Sequence, residues 1–159
     1  MSVVIRRAVP ADAALVLALI HELATYEKLP HAVVATEASI AESLFGPQAV
    51  AEALIAETDE GPVGYAIFFA NFSTFLGRSG IYLEDLYVKP AMRGRGIGKR
   101  LFAEVAKLAV ERGCARLDWS VLDWNEPSIK FYRSLGAEPL DAWTTYRMGP
   151  DAMRKLAGH

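Results

Sequence analysis

The chain of 159 residues has a single cysteine, Cys114, which excludes an internal disulfide framework and any zinc site built on several thiolates. A lone cysteine of this kind reads as a small buried hydrophobe, not a nucleophile. Net charge is also scarce. Seventeen Lys and Arg face 19 Asp and Glu, leaving −2, without the basic footprint of a general nucleic-acid binder. No run of 18 apolar residues and no charged-then-apolar signal segment is present, so no membrane partner is expected and the chain reads as cytoplasmic. No repeat, linker or low-complexity stretch divides it, and residues 1–159 read as one domain. No metal is expected. Apolar residues make up 52% of the chain, enough to favour a packed core over disorder.

What is present is concentrated between Tyr82 and Arg100. The stretch Tyr82-Leu83-Glu84-Asp85-Leu86-Tyr87-Val88-Lys89-Pro90 is followed at once by Arg93-Gly94-Arg95-Gly96-Ile97-Gly98-Lys99-Arg100. An apolar strand runs into a turn with glycine at alternate positions, and the turn opens into an amphipathic helix. Backbone N–H groups freed of Cβ atoms, together with a helix N-terminus, make a cradle for linked phosphates. A Walker loop does not fit, because Gly98-Lys99 is followed by Arg100 and not by a hydroxyl residue. The dinucleotide fingerprint does not fit either, since its third glycine position falls on Lys99. What does fit is Arg-x-x-Gly-x-Gly, at Arg93, Gly96 and Gly98.

Elsewhere, periodicity outlines the elements. Val3 to Ala8 reads as a strand. Pro10 and Asp12 open a helix with the stripe Leu15, Val16, Leu19, Ile20 and Leu23, leaving His21 and Glu22 as solvated surface. Thr36-Glu37 caps a short helix that ends near Leu44. Strands follow at Ala51 to Thr58 and Pro62 to about Phe72, joined by a turn at Asp59, Glu60 and Gly61. The motif strand is Ile81 to Val88, and the helix after it stops at Gly113. Arg116 to Leu122 reads as a strand. Asn125 caps a helix with Pro127 in its first turn and an end at Gly136. Thr144 to Met148 reads as a last strand, and Asp151 to Leu156 as a terminal helical turn. Strands and helices in this mixed order imply an α+β fold.

The Arg93–Gly98 turn resembles the coenzyme A pyrophosphate loop of the GNAT acetyltransferase superfamily, and order and spacing are similar over nearly the whole chain. Within the superfamily the chain is most similar to diamine acetyltransferases, the spermidine/spermine type and its thialysine-acetylating relatives. Glu22 to Leu29, Ser73-Thr74-Phe75, Tyr82 to Val88, Arg93 to Gly98, Val121 to Asn125 and Met153 to Gly158 carry the likeness. The resemblance implies a central, mostly antiparallel sheet flanked by helices, acetyl-CoA as cosubstrate, and a homodimer. It implies that acetyl moves by direct attack to a primary amine of a small cationic acceptor, namely a diamine, polyamine or lysine-like amino acid.

An alkyl ammonium, with a pKa of about 10, must lose a proton before it attacks. Glu84 is the candidate base, through a water. As adjacent strand residues, Glu84 and Asp85 point to opposite faces and take different roles. Periodicity alone makes Tyr132 a core residue of its helix. The resemblance, through Phe131, Tyr132 and Gly136, implies instead that it protonates the departing sulfur. The resemblance further implies that backbone groups of Leu86, Tyr87 and Val88 hold the pantetheine arm where two strands splay. It implies too that Arg93, Gly94, Arg95, Gly96, Ile97, Gly98 and Lys99 hold the diphosphate, that Asn125 and Ser128 sit near the arm, and that Tyr26, Glu27, Glu84 and Asp85 surround the acceptor. Ser73-Thr74-Phe75 lacks the aspartate and tryptophan of the spermidine/spermine type and is similar to the thialysine branch. Two other functions stay open at this point: a protein lysine or N-terminal acetyltransferase, and a non-catalytic acetyl-CoA sensor.

Overall fold

The computed structural model describes residues 2–159, which form two compact units, one running through Ser120 and the other Val121–His159. The first contains β1 (Val4–Arg7), α1 (Ala13–Tyr26), α2 (Glu37–Phe45), β2 (Glu52–Thr58), β3 (Gly61–Ser73), β4 (Arg78–Val88), α3 (Ile97–Glu111) and β5 (Leu117–Trp119). The strands form one sheet in chain order, β1-β2-β3-β4-β5. The first four pair antiparallel, and β5 runs parallel to β4. This is the α+β mixed sheet that the order of the elements implies.

β3 is the central strand. Its run from Val63 to Phe68 is buried without alternation, as a strand covered on both faces must be. On one face Tyr65, Ile67 and Tyr87 join a core with Val16, Leu19 and Leu23 of α1. On the other lies α3, whose Leu101 and Val105 are wholly buried. Gly64 is packed there so closely that a Cβ would fall 2.5 Å from the Tyr87 carbonyl oxygen and 3.4 Å from a Leu101 methyl. The entry to α1 is fixed by charge. Arg6 donates to both oxygens of Asp12, at 2.7 and 3.0 Å, and the Val9 N–H donates to Oδ2 at 2.7 Å. The Arg6 guanidinium holds the Asp12 carboxyl below its ordinary pKa.

β5 is shorter than the sequence suggests. Only Leu117 to Trp119 pair with Ile81 to Leu83, where the Phe102 ring stands edge-on to Trp119 at 4.8 Å. In the second unit, α4 (Glu126–Ser134) starts at Asn125, whose Oδ1 accepts from the Ser128 N–H at 3.4 Å, and α5 spans Pro150–Ala157. The strand expected at Thr144 to Met148 does not form; this stretch is irregular and exposed. Alternation alone does not make a strand, because the ladder needs a neighbour to bond to. Among the described residues no helix is long and apolar enough to cross a membrane.

Candidate active site

β4 leads through a 3₁₀ turn at Pro90–Met92 into the glycine turn and α3. Gly94 and Gly96 both adopt φ of +76°, and a Cβ at either would meet nothing within 4 Å. Glycine is therefore required there by backbone conformation and not by crowding. Gly96 is the N-cap of α3, and no side chain caps that end. The first-turn N–H groups of a helix have no intrahelical acceptor. With Ile97 buried beneath them, these groups form a fixed, electropositive end suited to linked phosphates. Beside the turn, β4 pairs with β3 as far as Val88, but with β5 only as far as Leu83. The β5 side of Leu86 to Val88 thus lies past the end of the ladder.

Between these segments the sheet is irregular at one residue. Ile67 lies opposite Asp85 and Phe68 opposite Leu83, so Glu84 is an extra residue without a partner across the ladder. A bulge of this kind reverses the alternation of everything beyond it. Leu83 shares the face of Phe68, whereas Asp85 and Tyr87 share that of Ile67 and Tyr65. The expectation that Glu84 and Asp85 serve opposite faces of an unbroken strand is corrected here, because the strand is broken at Glu84 itself.

Asp85 and Glu27 line a cavity of about 190 Å³ whose walls include Ile20, Leu23, Ala24, Leu29 and Val33. Burial pushes the Glu27 carboxyl up, and the negative charges of Asp85 and Glu84 add to the effect. Burial also pushes Asp85 up; the hydrogen bond from Tyr65 opposes this and the charge of Glu84 reinforces it. Tyr65 Oη donates to Asp85 Oδ2 at 2.8 Å. Three carboxylates within electrostatic reach, two of them in an apolar hollow, are unfavourable when ionised alone. An ammonium placed among them reverses that sign.

Glu27 is held by an unusual helix end. Lys28 has φ of +63°, its N–H bonds the Thr25 carbonyl and the Leu29 N–H bonds the Ala24 carbonyl. This is a Schellman ending with lysine where glycine is usual. α3 and α4 end the same way on Gly113 and Gly136.

The acetyltransferase (GNAT) family matches residues 17–137. The chain belongs to the GNAT family. Bovine (Bos taurus) thialysine N-epsilon-acetyltransferase is 41% identical to this GNAT chain over 167 residues, covering 98% of each. An L-ornithine N5-acetyltransferase of Arabidopsis thaliana is 29% identical over 197 residues, covering 96% of this chain and 86% of the other. Among solved structures, an integron cassette protein from the mobile metagenome of V. cholerae matches with a TM-score of 0.83 and 28% identity, covering 100% and 99% of the two chains. The GNAT chain is an N-acetyltransferase, and its mixed sheet flanked by helices is the GNAT fold.

Of the residues read from the sequence, Glu27, Glu84 and Asp85 come together in the GNAT enzyme. Tyr26 lies at the same end of α1, and its ring stacks under the Arg93 guanidinium at 4.5 Å. Arg93, expected on the diphosphate, also lies 5.7 Å from the Tyr87 ring and donates from Nε to the Val88 carbonyl at 3.0 Å. The Val88 carbonyl, one of the groups assigned to the pantetheine arm, therefore has a protein donor. Arg95 and Lys99 are exposed beside the turn. Asn125, Ser128 and Tyr132 belong to the second unit. There the Ser128 N–H serves the Asn125 cap, and the Tyr132 ring lies 5.6 Å from that of Phe131. Sequence reading missed Tyr65, the bulge, and the wall formed by Leu29 and Val33. Tyr65 carried a signal, since a tyrosine within a buried apolar strand needs a partner for its hydroxyl.

Proposed function

We propose that this enzyme transfers acetyl from acetyl-CoA to the primary amine of a small cationic acceptor, a lysine-like amino acid such as thialysine or a diamine, by direct attack. One observation carries the reading: Glu27 and Asp85 stand in an apolar hollow of about 190 Å³ beside the exposed Glu84. An aliphatic stem fits the walls and an ammonium fits the carboxylates. The acceptors named for the thialysine and ornithine enzymes are of this chemical kind.

Acetyl-CoA supplies the activated thioester, and the remaining work falls to the chain. The uncapped start of α3 with Gly94 and Gly96 binds the diphosphate, and backbone groups of Leu86 and Tyr87 orient the arm. Glu84 removes a proton from the acceptor ammonium through a water, so that the nitrogen lone pair is free to form the new amide bond. Tyr132 Oη gives a proton to the sulfur as the carbon–sulfur bond breaks, and the second proton that the nitrogen sheds on becoming the amide restores the phenol. Asn125 and Ser128 fix the start of the helix that carries Tyr132. Residues 1–159 act as one catalytic domain, a reading supported by the family match, which runs across both units. The resemblance supports a homodimer, and the single cysteine fits a cytoplasmic setting.

A thiol-release assay across lysine analogues, diamines and peptides tests the proposal. Turnover with the small cations supports it. Turnover with peptides alone, or tight coenzyme binding with no turnover, overturns it.

A further inference from the structure

Tyr65 is the largest of the fully buried side chains and has no part in the reaction above. It is wholly buried on the central strand, yet its one polar atom points at the cavity wall and donates to Asp85 Oδ2 at 2.8 Å. Purely apolar filling of that position needs a phenylalanine, not a buried hydroxyl that must be satisfied. The register puts Tyr65 opposite Tyr87 and Ile67 opposite Asp85, so the hydroxyl reaches diagonally across the ladder to the first residue past the bulge. Without the bulge at Glu84, Asp85 would turn to the other face and this bond could not form.

We propose that Tyr65 is a positioning residue for acceptor recognition, its buried phenol holding one oxygen of Asp85 so that the other is presented to the ammonium in the cavity. The inference rests on the amine-acetylation reading above. The titratable groups facing Asp85 are Tyr65 from β3, Glu84 from its own strand and Glu27 from the end of α1. Of these, Tyr65 alone offers a hydrogen bond to the ionised carboxylate, and the two carboxylates oppose its charge. Removing the phenol therefore leaves Asp85 with burial and like charge only, and its titration moves to higher pH.

The test is Tyr65→Phe, which keeps the ring. KM for the amine should rise about tenfold to a hundredfold, as for the loss of a hydrogen bond to a charged group, with KM for acetyl-CoA unchanged. The acid limb of kcat/KM for the amine should shift to higher pH, which a merely structural role does not produce. In an Asp85→Asn background the same change should add nothing to KM. Carboxyl ¹³C titration of the substrate-free protein reads Asp85 directly: a raised midpoint in Tyr65→Phe supports the proposal and an unmoved one overturns it. Should the wild type acetylate no amine, the functional reading falls, while this titration still decides the role of Tyr65. If Tyr65→Phe does not fold, wild-type protein labelled at the phenol carbons replaces it. One of the six tyrosine resonances should then follow the Asp85 midpoint, and none doing so overturns the proposal.

Discussion

Asp85 is hydrogen-bonded to a buried phenol, half-buried and set in the cavity wall at once, and these demands conflict. Because burial and the charge of Glu84 raise its folded-state pKa, the folded protein holds its proton more tightly than the unfolded chain. Its contribution to stability is therefore complete below the ordinary aspartate pKa and is lost as pH rises through the folded value. Asp85→Asn should stabilise the fold at neutral pH, with a gain that shrinks in acid, while raising KM for a cationic acceptor; thermal melts across pH and amine saturation curves read the two effects. Asp12 has the opposite sign. Its pKa is lowered by Arg6, so the stability it lends is present above the ordinary value and lost as pH falls through the folded one. At the chemical step, Glu84→Gln should flatten the rise of rate with pH, and a rise that survives assigns proton removal to another group. Tyr132→Phe should lower kcat by roughly tenfold to a thousandfold with little change in coenzyme affinity. Unchanged turnover removes Tyr132 from the reaction.

At the level of elements, the glycines show what a sequence reveals and what it hides. Gly113 and Gly136 announce the ends of α3 and α4, and both helices do end there on positive φ. α1 ends through the same hydrogen bonds but with Lys28 in that conformation, so composition gave no sign of the stop. Lys28→Gly should raise stability by about 1 kcal/mol and leave the position of Glu27 unchanged, as a chemical denaturation curve would read. Gly96→Ala should cost about 1–2 kcal/mol, because it forces a Cβ into the left-handed region, and it should weaken acetyl-CoA binding. The bulge at Glu84 was equally hidden. Glu-Asp inside an apolar strand carries no glycine or proline to mark it, and only the β3 register exposes the extra residue. Thr144 to Met148 failed in the other direction, as a local pattern with no neighbour to complete it.

For the molecule as a whole, the succession of strands and helices and the glycine turn before α3 were readable because each rests on short-range rules: apolar period, capping and glycine spacing. The meeting of Glu27 with Asp85 in one cavity wall was legible only through the resemblance, since it depends on where the end of α1 meets the far half of β4, across nearly sixty positions. The central claim is that the glycine turn binds acetyl-CoA so that acyl transfer to an amine can follow in the neighbouring hollow. Calorimetric titration of the purified protein with acetyl-CoA tests it most directly. We expect saturable binding that Gly96→Ala weakens and Asp85→Asn leaves intact. Heats no larger than those of dilution, with no complex at any concentration reached, would contradict it.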